Sequence, residues 1–210
     1  MNESVNRPDA GKRRGTSPRV VLVILLAVFL APAVGGWLWY EFGSGFTRKN
    51  LGTLYDPARP LGDIAFAGAS GDADSLADLG GGWLLAWVGE GPCGDECLAG
   101  LDKLNRVRLS LGEKSRRVRV LYLSEHAADA STTERIAAVI PGGVAAVLDS
   151  AVFEALVTDL AHDGEGRAQV LHRAYLIDPI GNLVLSYEAD AVPGDIRKDL
   201  SRLLFVSQIG

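Results

Sequence analysis

The sequence predicts an α/β domain with a central mixed sheet, held behind one N-terminal transmembrane helix. Three observations lead there. Val20 to Tyr40 is a run of 21 residues without a charge. Between Trp83 and Leu123 an apolar strand, a helical pattern and a second apolar strand follow one another as a βαβ unit. From Ala174 to Phe205 a β-hairpin and an amphipathic helix close the chain.

The charge-free run is long enough, at about 1.5 Å per residue, to cross a hydrocarbon core of about 30 Å. Residues 1–19 form a basic tail in which Arg7, Lys12, Arg13, Arg14 and Arg19 outnumber Glu3 and Asp9. By the positive-inside rule the tail stays in the cytoplasm and the rest faces outward, and the expectation is a single-pass protein of the inner (cytoplasmic) membrane with a periplasmic or otherwise extracytoplasmic domain. Ala31-Pro32-Ala33 also fits a signal-peptide cleavage site. Apolar character nevertheless continues through Val34, Trp37, Leu38, Trp39 and Tyr40, as in a retained anchor over residues 20–40 with an interfacial aromatic belt. Either reading puts the domain in an oxidising compartment. The first 40 residues hold five of the 21 basic and two of the 26 acidic side chains, so 16 basic face 24 acidic in the remainder, a net charge of −8. That balance argues against nucleic acid and against an anionic membrane surface as the partner.

Residues 41–74, rich in Gly, Pro, Ala and Asp and carrying Pro57 and Pro60, read as a linker. The domain is expected over residues 75–210. Its first core strand is Trp83 to Val88, and a helix beginning near Gly94 or Asp95 carries Leu98, Leu101, Leu104 and Val107 on one face and stops at Gly112. Val118 to Leu123 is the second strand, parallel to the first. Ser131 to Ile140 reads as a helix, Val144 to Leu148 as a short apolar segment, and Ser150 to His162 as a helix capped by Ser150. Ala174 to Ile177 and Leu183 to Tyr187 flank the turn Asp178 to Asn182, and a helix spans about Gly194 to Phe205. This order is the thioredoxin-like arrangement, although no proline stands immediately before Ala174, where redox thioredoxins place one.

Cys93 and Cys97 are the only cysteines of the chain, and they fall on the strand-to-helix turn after Trp83 to Val88. In open α/β sheets, chemistry collects beyond the carboxyl ends of the strands. Unpaired amides and the helix dipole there favour thiolate over thiol, whereas Glu90, Asp95 and Glu96 oppose it. Two sulfurs at this spacing can form a redox pair, bind a soft metal, or close a structural disulfide worth about 2 kcal/mol. Cys93, at the helix entrance, is expected to be the more exposed of the two. A thiolate pair selects Cu(I), or zinc given more ligands, and two sulfurs with one imidazole is a known copper pattern, so a third ligand is needed. His172 precedes the Ala174 strand and reaches the same sheet edge if that strand runs antiparallel to the first; His126 follows the second strand to that edge, and His162 reads as a solvated helix end.

Cys93 and Cys97, Ser75-Leu76-Ala77-Asp78-Leu79 ahead of the first strand, and Tyr175-Leu176-Ile177-Asp178-Pro179-Ile180-Gly181-Asn182 together resemble the Sco family of copper-insertion and thiol-redox proteins that assemble cytochrome c oxidase. The likeness covers about Ser75 to Phe205 and is that of a divergent member, since Gly94 and Leu98 stand where the family usually has prolines. It implies a membrane-tethered thioredoxin-like domain with copper as its metal. The ligands would be Cys93, Cys97 and His172, and the partner an oxidase subunit or another copper or thiol protein. The same residues allow a thiol-disulfide oxidoreductase, with Cys93 attacking and Cys97 resolving, and the family context allows a non-catalytic assembly scaffold.

Overall fold

In the computed structural model, residues 17–42, 51–68, 75–79 and 81–207 are described. Helix α1, Pro18–Phe42, forms one of two compact units. Its window Pro18–Gly35 is long and apolar enough to cross a membrane, with a mean hydropathy of 2.3. The basic tail expected ahead of it lies almost wholly outside the described residues.

The second unit holds a seven-stranded sheet. In chain order its strands are β1 (Thr53–Pro60), β2 (Ala67–Gly68), β3 (Trp83–Gly89), β4 (Val118–Ser124), β5 (Val144–Val147), β6 (Ala174–Ile177) and β7 (Asn182–Tyr187). Their order across the sheet is β1-β7-β6-β3-β4-β5-β2. Strands β3, β4 and β5 run parallel, and every other pairing is antiparallel. The helices are α2 (Asp95–Leu109), α3 (Ala130–Val139), α4 (Ser150–Leu160), a single turn α5 (Arg167–Val170) and α6 (Pro193–Val206), with a 3-10 turn over Gly112–Arg117.

Every residue of β3 is buried, as befits a central strand covered on both faces. Leu84, Ala86 and Val88 enter a core with Phe153, Leu156, Val157 and Leu160 of α4. Trp83, Leu85 and Trp87 point the other way, into a core shared with α2, α3 and α6. The period of two along β3 thus meets the helical period of the covering elements. A parallel β3-β4 pair followed by an antiparallel β6-β7 hairpin is the arrangement that the sequence predicts. One cap differs from the expectation, and a second was not anticipated. Asp149 rather than Ser150 caps α4, its carboxylate accepting from the Ala151 amide, and Asp129 caps α3 by accepting from the Thr132 amide.

The linker expected over residues 41–74 is corrected in its second half. Thr53–Pro60 is strand β1, paired with β7 through Thr53 and Ser186 and through Leu54 and Leu185. Tyr55, Leu61, Ile64 and Phe66 are buried. Pro57 and Pro60 suggested irregular chain because proline cannot donate to a ladder, but an edge strand tolerates proline, and the register of β1 shifts between Leu54 and Arg59 to accommodate it. Asp199 on α6 fastens the start of this strand. Its buried carboxylate accepts from the amides of Leu51 at 2.7 Å and Gly52 at 3.0 Å and from the Tyr187 hydroxyl at 3.2 Å.

Candidate functional site

The cysteine turn leaves the carboxyl end of β3 and enters α2. Gly94 is the N-cap of α2 and Asp95 its first residue, so Cys97 lies in the first turn and Cys93 just ahead of it, as the sequence predicts. The two are joined as a disulfide, with Cα atoms 5.2 Å apart. Cys93 is not exposed. Only 2% of its surface is accessible, against 5% for Cys97, and both sulfur residues belong to the core beneath α2. Two side chains shape that core. The six-membered ring of Trp87 lies under α2 where Gly100 provides room, for a Cβ at Gly100 would stand 2.5 Å from the ring. The Tyr122 hydroxyl, on the neighbouring strand, donates to the Gly91 carbonyl at 2.7 Å and ties down the turn. Burial pushes the Tyr122 pKa up to about 12, despite a hydrogen bond with Ser124 that lowers it, so it remains a proton donor at neutral pH.

His172 reaches the same edge. Strand β6 runs antiparallel to β3 with Ala174 opposite Trp87, and the His172 amide donates to the Val88 carbonyl at 2.8 Å. Its side chain is exposed and its backbone is left-handed, with φ of 61°. A residue other than glycine gives up on the order of 1 kcal/mol to hold that conformation, and such strain concentrates at functional sites. His126 flanks the turn from the β4 side, with Nδ1 2.9 Å from the Glu90 carbonyl oxygen. His162, expected as a solvated helix end, instead stacks on Tyr55 with ring centroids 4.1 Å apart and lies 3.0 Å from the Ser186 hydroxyl. Among the described residues, no three His, Cys, Asp or Glu side chains are gathered for a metal ion.

Two arginines organise the charge at this edge, and sequence reasoning missed both. Arg167 pairs with Glu90 at 3.0 Å, with Glu125 at 2.9 Å and with Glu154, and its guanidinium lies over the Phe153 ring. Hydrogen bonds from Ser150 and Arg167 hold the Glu125 carboxyl below its ordinary range. Arg173, between His172 and β6, is buried and pairs with Glu165 at 2.9 Å and with Glu188. Burial would raise the Glu165 pKa, but hydrogen bonds from the His162 amide and Arg173 outweigh it and leave the carboxyl lowered. Asp95 pairs with Arg135. The acidic residues expected to disfavour thiolate are thus partly offset by Arg135 and Arg167. The partners of Arg167 are far apart in sequence, and no local pattern announces them.

What the arrangement can do is limited by the disulfide. Closed, its sulfurs are neither nucleophiles nor ligands. Two-electron reduction with uptake of two protons gives two thiols at the entrance of a helix whose N-cap, Gly94, offers no side-chain hydrogen bond.

The family model described as the transmembrane-like, thioredoxin-like, C-terminal domain matches residues 83–207. Solved structures share the fold. The apo Sco1 protein of Thermus thermophilus has 20% identity and a TM-score of 0.57 over 76% of this chain and 99% of its own. Copper-bound yeast Sco1 has 18% identity and a TM-score of 0.57 over 72% of this chain and 95% of its own. Copper-bound ScoI of Arabidopsis thaliana has 16% identity and a TM-score of 0.56 over 70% and 98%. No curated protein matches the chain in sequence. The fold is therefore that of thioredoxin-like Sco proteins, as the sequence resemblance implies.

Proposed function

The chain belongs to the transmembrane-like, thioredoxin-like C-terminal domain family, and from that premise we propose that it is a membrane-anchored, periplasmic protein that binds copper through Cys93, Cys97 and His172 and delivers it during cytochrome c oxidase assembly. One observation carries this reading: the only two cysteines of the chain and a backbone-strained His172 share the carboxyl edge of β3 in a fold shared with copper-bound Sco proteins. Two thiolates and an imidazole are a soft donor set suited to Cu(I). Copper is cargo here, and the metal-accepting form is the reduced one. Binding displaces the two thiol protons, so affinity rises with pH until both sulfurs are deprotonated, and it vanishes when the disulfide closes.

The closed pair supports a second reading, a thiol-disulfide oxidoreductase that reduces cysteines of an oxidase subunit. The reduced thiolate at Cys93 would attack the partner's disulfide and Cys97 would resolve the mixed disulfide, leaving the partner as a dithiol and this pair oxidised. Burial of Cys93 requires the turn to open first. An oxidase-assembly assay with Cys93→Ser and Cys97→Ser tests both readings together. Loss of assembly with each variant, at unchanged protein level, is expected; normal assembly with both would leave only a scaffold role. Assembly that survives His172→Ala but not the serine variants selects the oxidoreductase.

A further inference from the structure

At the opposite end of the sheet, where β3 and β4 begin, lies a cavity of about 430 Å³. Arg108, Arg116, Arg117 and Arg119 line it together with the glycine pair Gly81 and Gly82, and no acidic side chain is among its described lining residues. Residues 51–210 contain 23 acidic and 14 basic side chains. In so acidic a domain, four arginines lining one hollow with no described acidic residue among them are a local inversion of sign. Like charges held this close repel, and the arrangement is stabilised when an anion enters.

Two of the four are already oriented. The Arg117 guanidinium donates to the carbonyls of Leu204 at 3.0 Å and Ser207 at 2.7 Å, at the end of α6. Arg108, in the last turn of α2, donates to the Asn105 side-chain oxygen from both Nε at 3.1 Å and Nη2 at 2.9 Å. Arg108 also complements the negative end of the α2 dipole, so its presence has a structural reason. Arg116 and Arg119 have no such reason. Both are exposed, and neither side chain makes a hydrogen bond or ion pair among the described residues. An anchored pair of arginines beside an uncommitted pair leaves two guanidiniums free to close on a ligand, at the entropic cost of fixing those two side chains.

We infer that this cavity is a binding site for a phosphate-bearing anion, independent of the cysteine turn. Guanidinium forks match phosphate oxygens two at a time, and four positive charges are better balanced by a diphosphate or by clustered phosphate groups than by a single carboxylate. The volume suits a small ligand. A soluble phosphate compound and a phospholipid headgroup present the same chemistry, and the experiment separates them.

The full chain in non-ionic detergent is titrated by calorimetry with inorganic pyrophosphate, and in a second arm with mixed micelles containing phosphatidic acid or, as control, phosphatidylcholine. Saturable 1:1 binding of pyrophosphate assigns a soluble source; saturable binding only of phosphatidic acid assigns a headgroup. Arg116→Gln with Arg119→Gln weakens either interaction by about a hundredfold, at roughly tenfold for each lost charged hydrogen bond. Arg119→Lys, which keeps the charge and loses the fork, weakens it less than Arg119→Gln. A Cys93→Ser, Cys97→Ser chain binds as the parent does. Saturation in neither arm, or equal binding by the double glutamine variant, overturns the assignment. Both substituted side chains are exposed, and an unchanged circular dichroism spectrum separates lost binding from lost fold.

Discussion

The two ends of β3 carry opposite chemistry. At its carboxyl end the chain packs two sulfurs almost out of solvent, ties their turn to Tyr122, and surrounds them with carboxylates that arginines bridge. At its amino end the chain leaves a hollow open, lines it with arginines and supplies no described carboxylate. The difference teaches that one parallel βαβ unit sorts side-chain chemistry by strand direction. The crevice beyond the carboxyl ends is where turns can present reactive groups, while the amino end receives the close of α2 and of α6, whose carbonyls attract guanidiniums. Net charge, read over the whole domain, averages these two ends into one misleading number.

The comparison can be sharpened by disturbing one end and watching the other. Gly100→Ala places a methyl group 2.5 Å from the Trp87 ring, which is fully buried and cannot yield. Overpacking of this kind destabilises by about 2 kcal/mol, more than the gain in helix propensity from alanine. Urea unfolding should show that loss, and pyrophosphate affinity of the folded chain should stay as it was. A variant as stable as the parent would mean that Trp87 does not anchor the cysteine turn against α2.

A smaller effect is expected from Tyr122→Phe, which deletes the hydrogen bond to the Gly91 carbonyl and leaves the ring. The cost to stability is about 1 kcal/mol. The redox potential of the sulfur pair, measured against glutathione mixtures, should shift as well, because the hydroxyl holds the turn that carries Cys93. An unchanged potential would separate the turn's geometry from its chemistry.

The smallest effect is a pH dependence confined to the cysteine end. The Glu165 pKa is lowered in the folded chain, so its contribution to stability is complete above the ordinary glutamate value of about 4.3 and fades as pH falls through the lower, folded value. Glu165→Gln should therefore be less stable than the parent near pH 7, and the gap should close in acid. A gap that stays constant from neutral to acid pH would show that the Arg173 pairing contributes nothing through charge.

How much of this was legible depended on whether the signal was local. The β3-α2-β4 unit, the hairpin and α6 follow from periods of two and 3.6, and the helix start at Asp95 follows from its position after an apolar run. Strand β1 was hidden because its prolines suit an edge strand and an irregular linker equally well. The positive φ of His172 was not readable, since only glycine advertises that conformation in a sequence. Burial of Cys93 was missed because its neighbours, Pro92 and Gly94, are turn residues, while the cover comes from Trp87 and α2. The Arg167 bridge and the arginine cavity assemble from residues distant in the chain, and composition pointed the other way.

The central claim rests on His172 acting with the two sulfurs. The direct measurement is anaerobic Cu(I) competition titration of the full chain in detergent, fully reduced, beside His172→Ala. The account predicts one Cu(I) per chain, with affinity at least tenfold weaker in His172→Ala and no copper held by the oxidised protein. Equal affinity in both chains, or no binding above that of a Cys93→Ser, Cys97→Ser control, would contradict it.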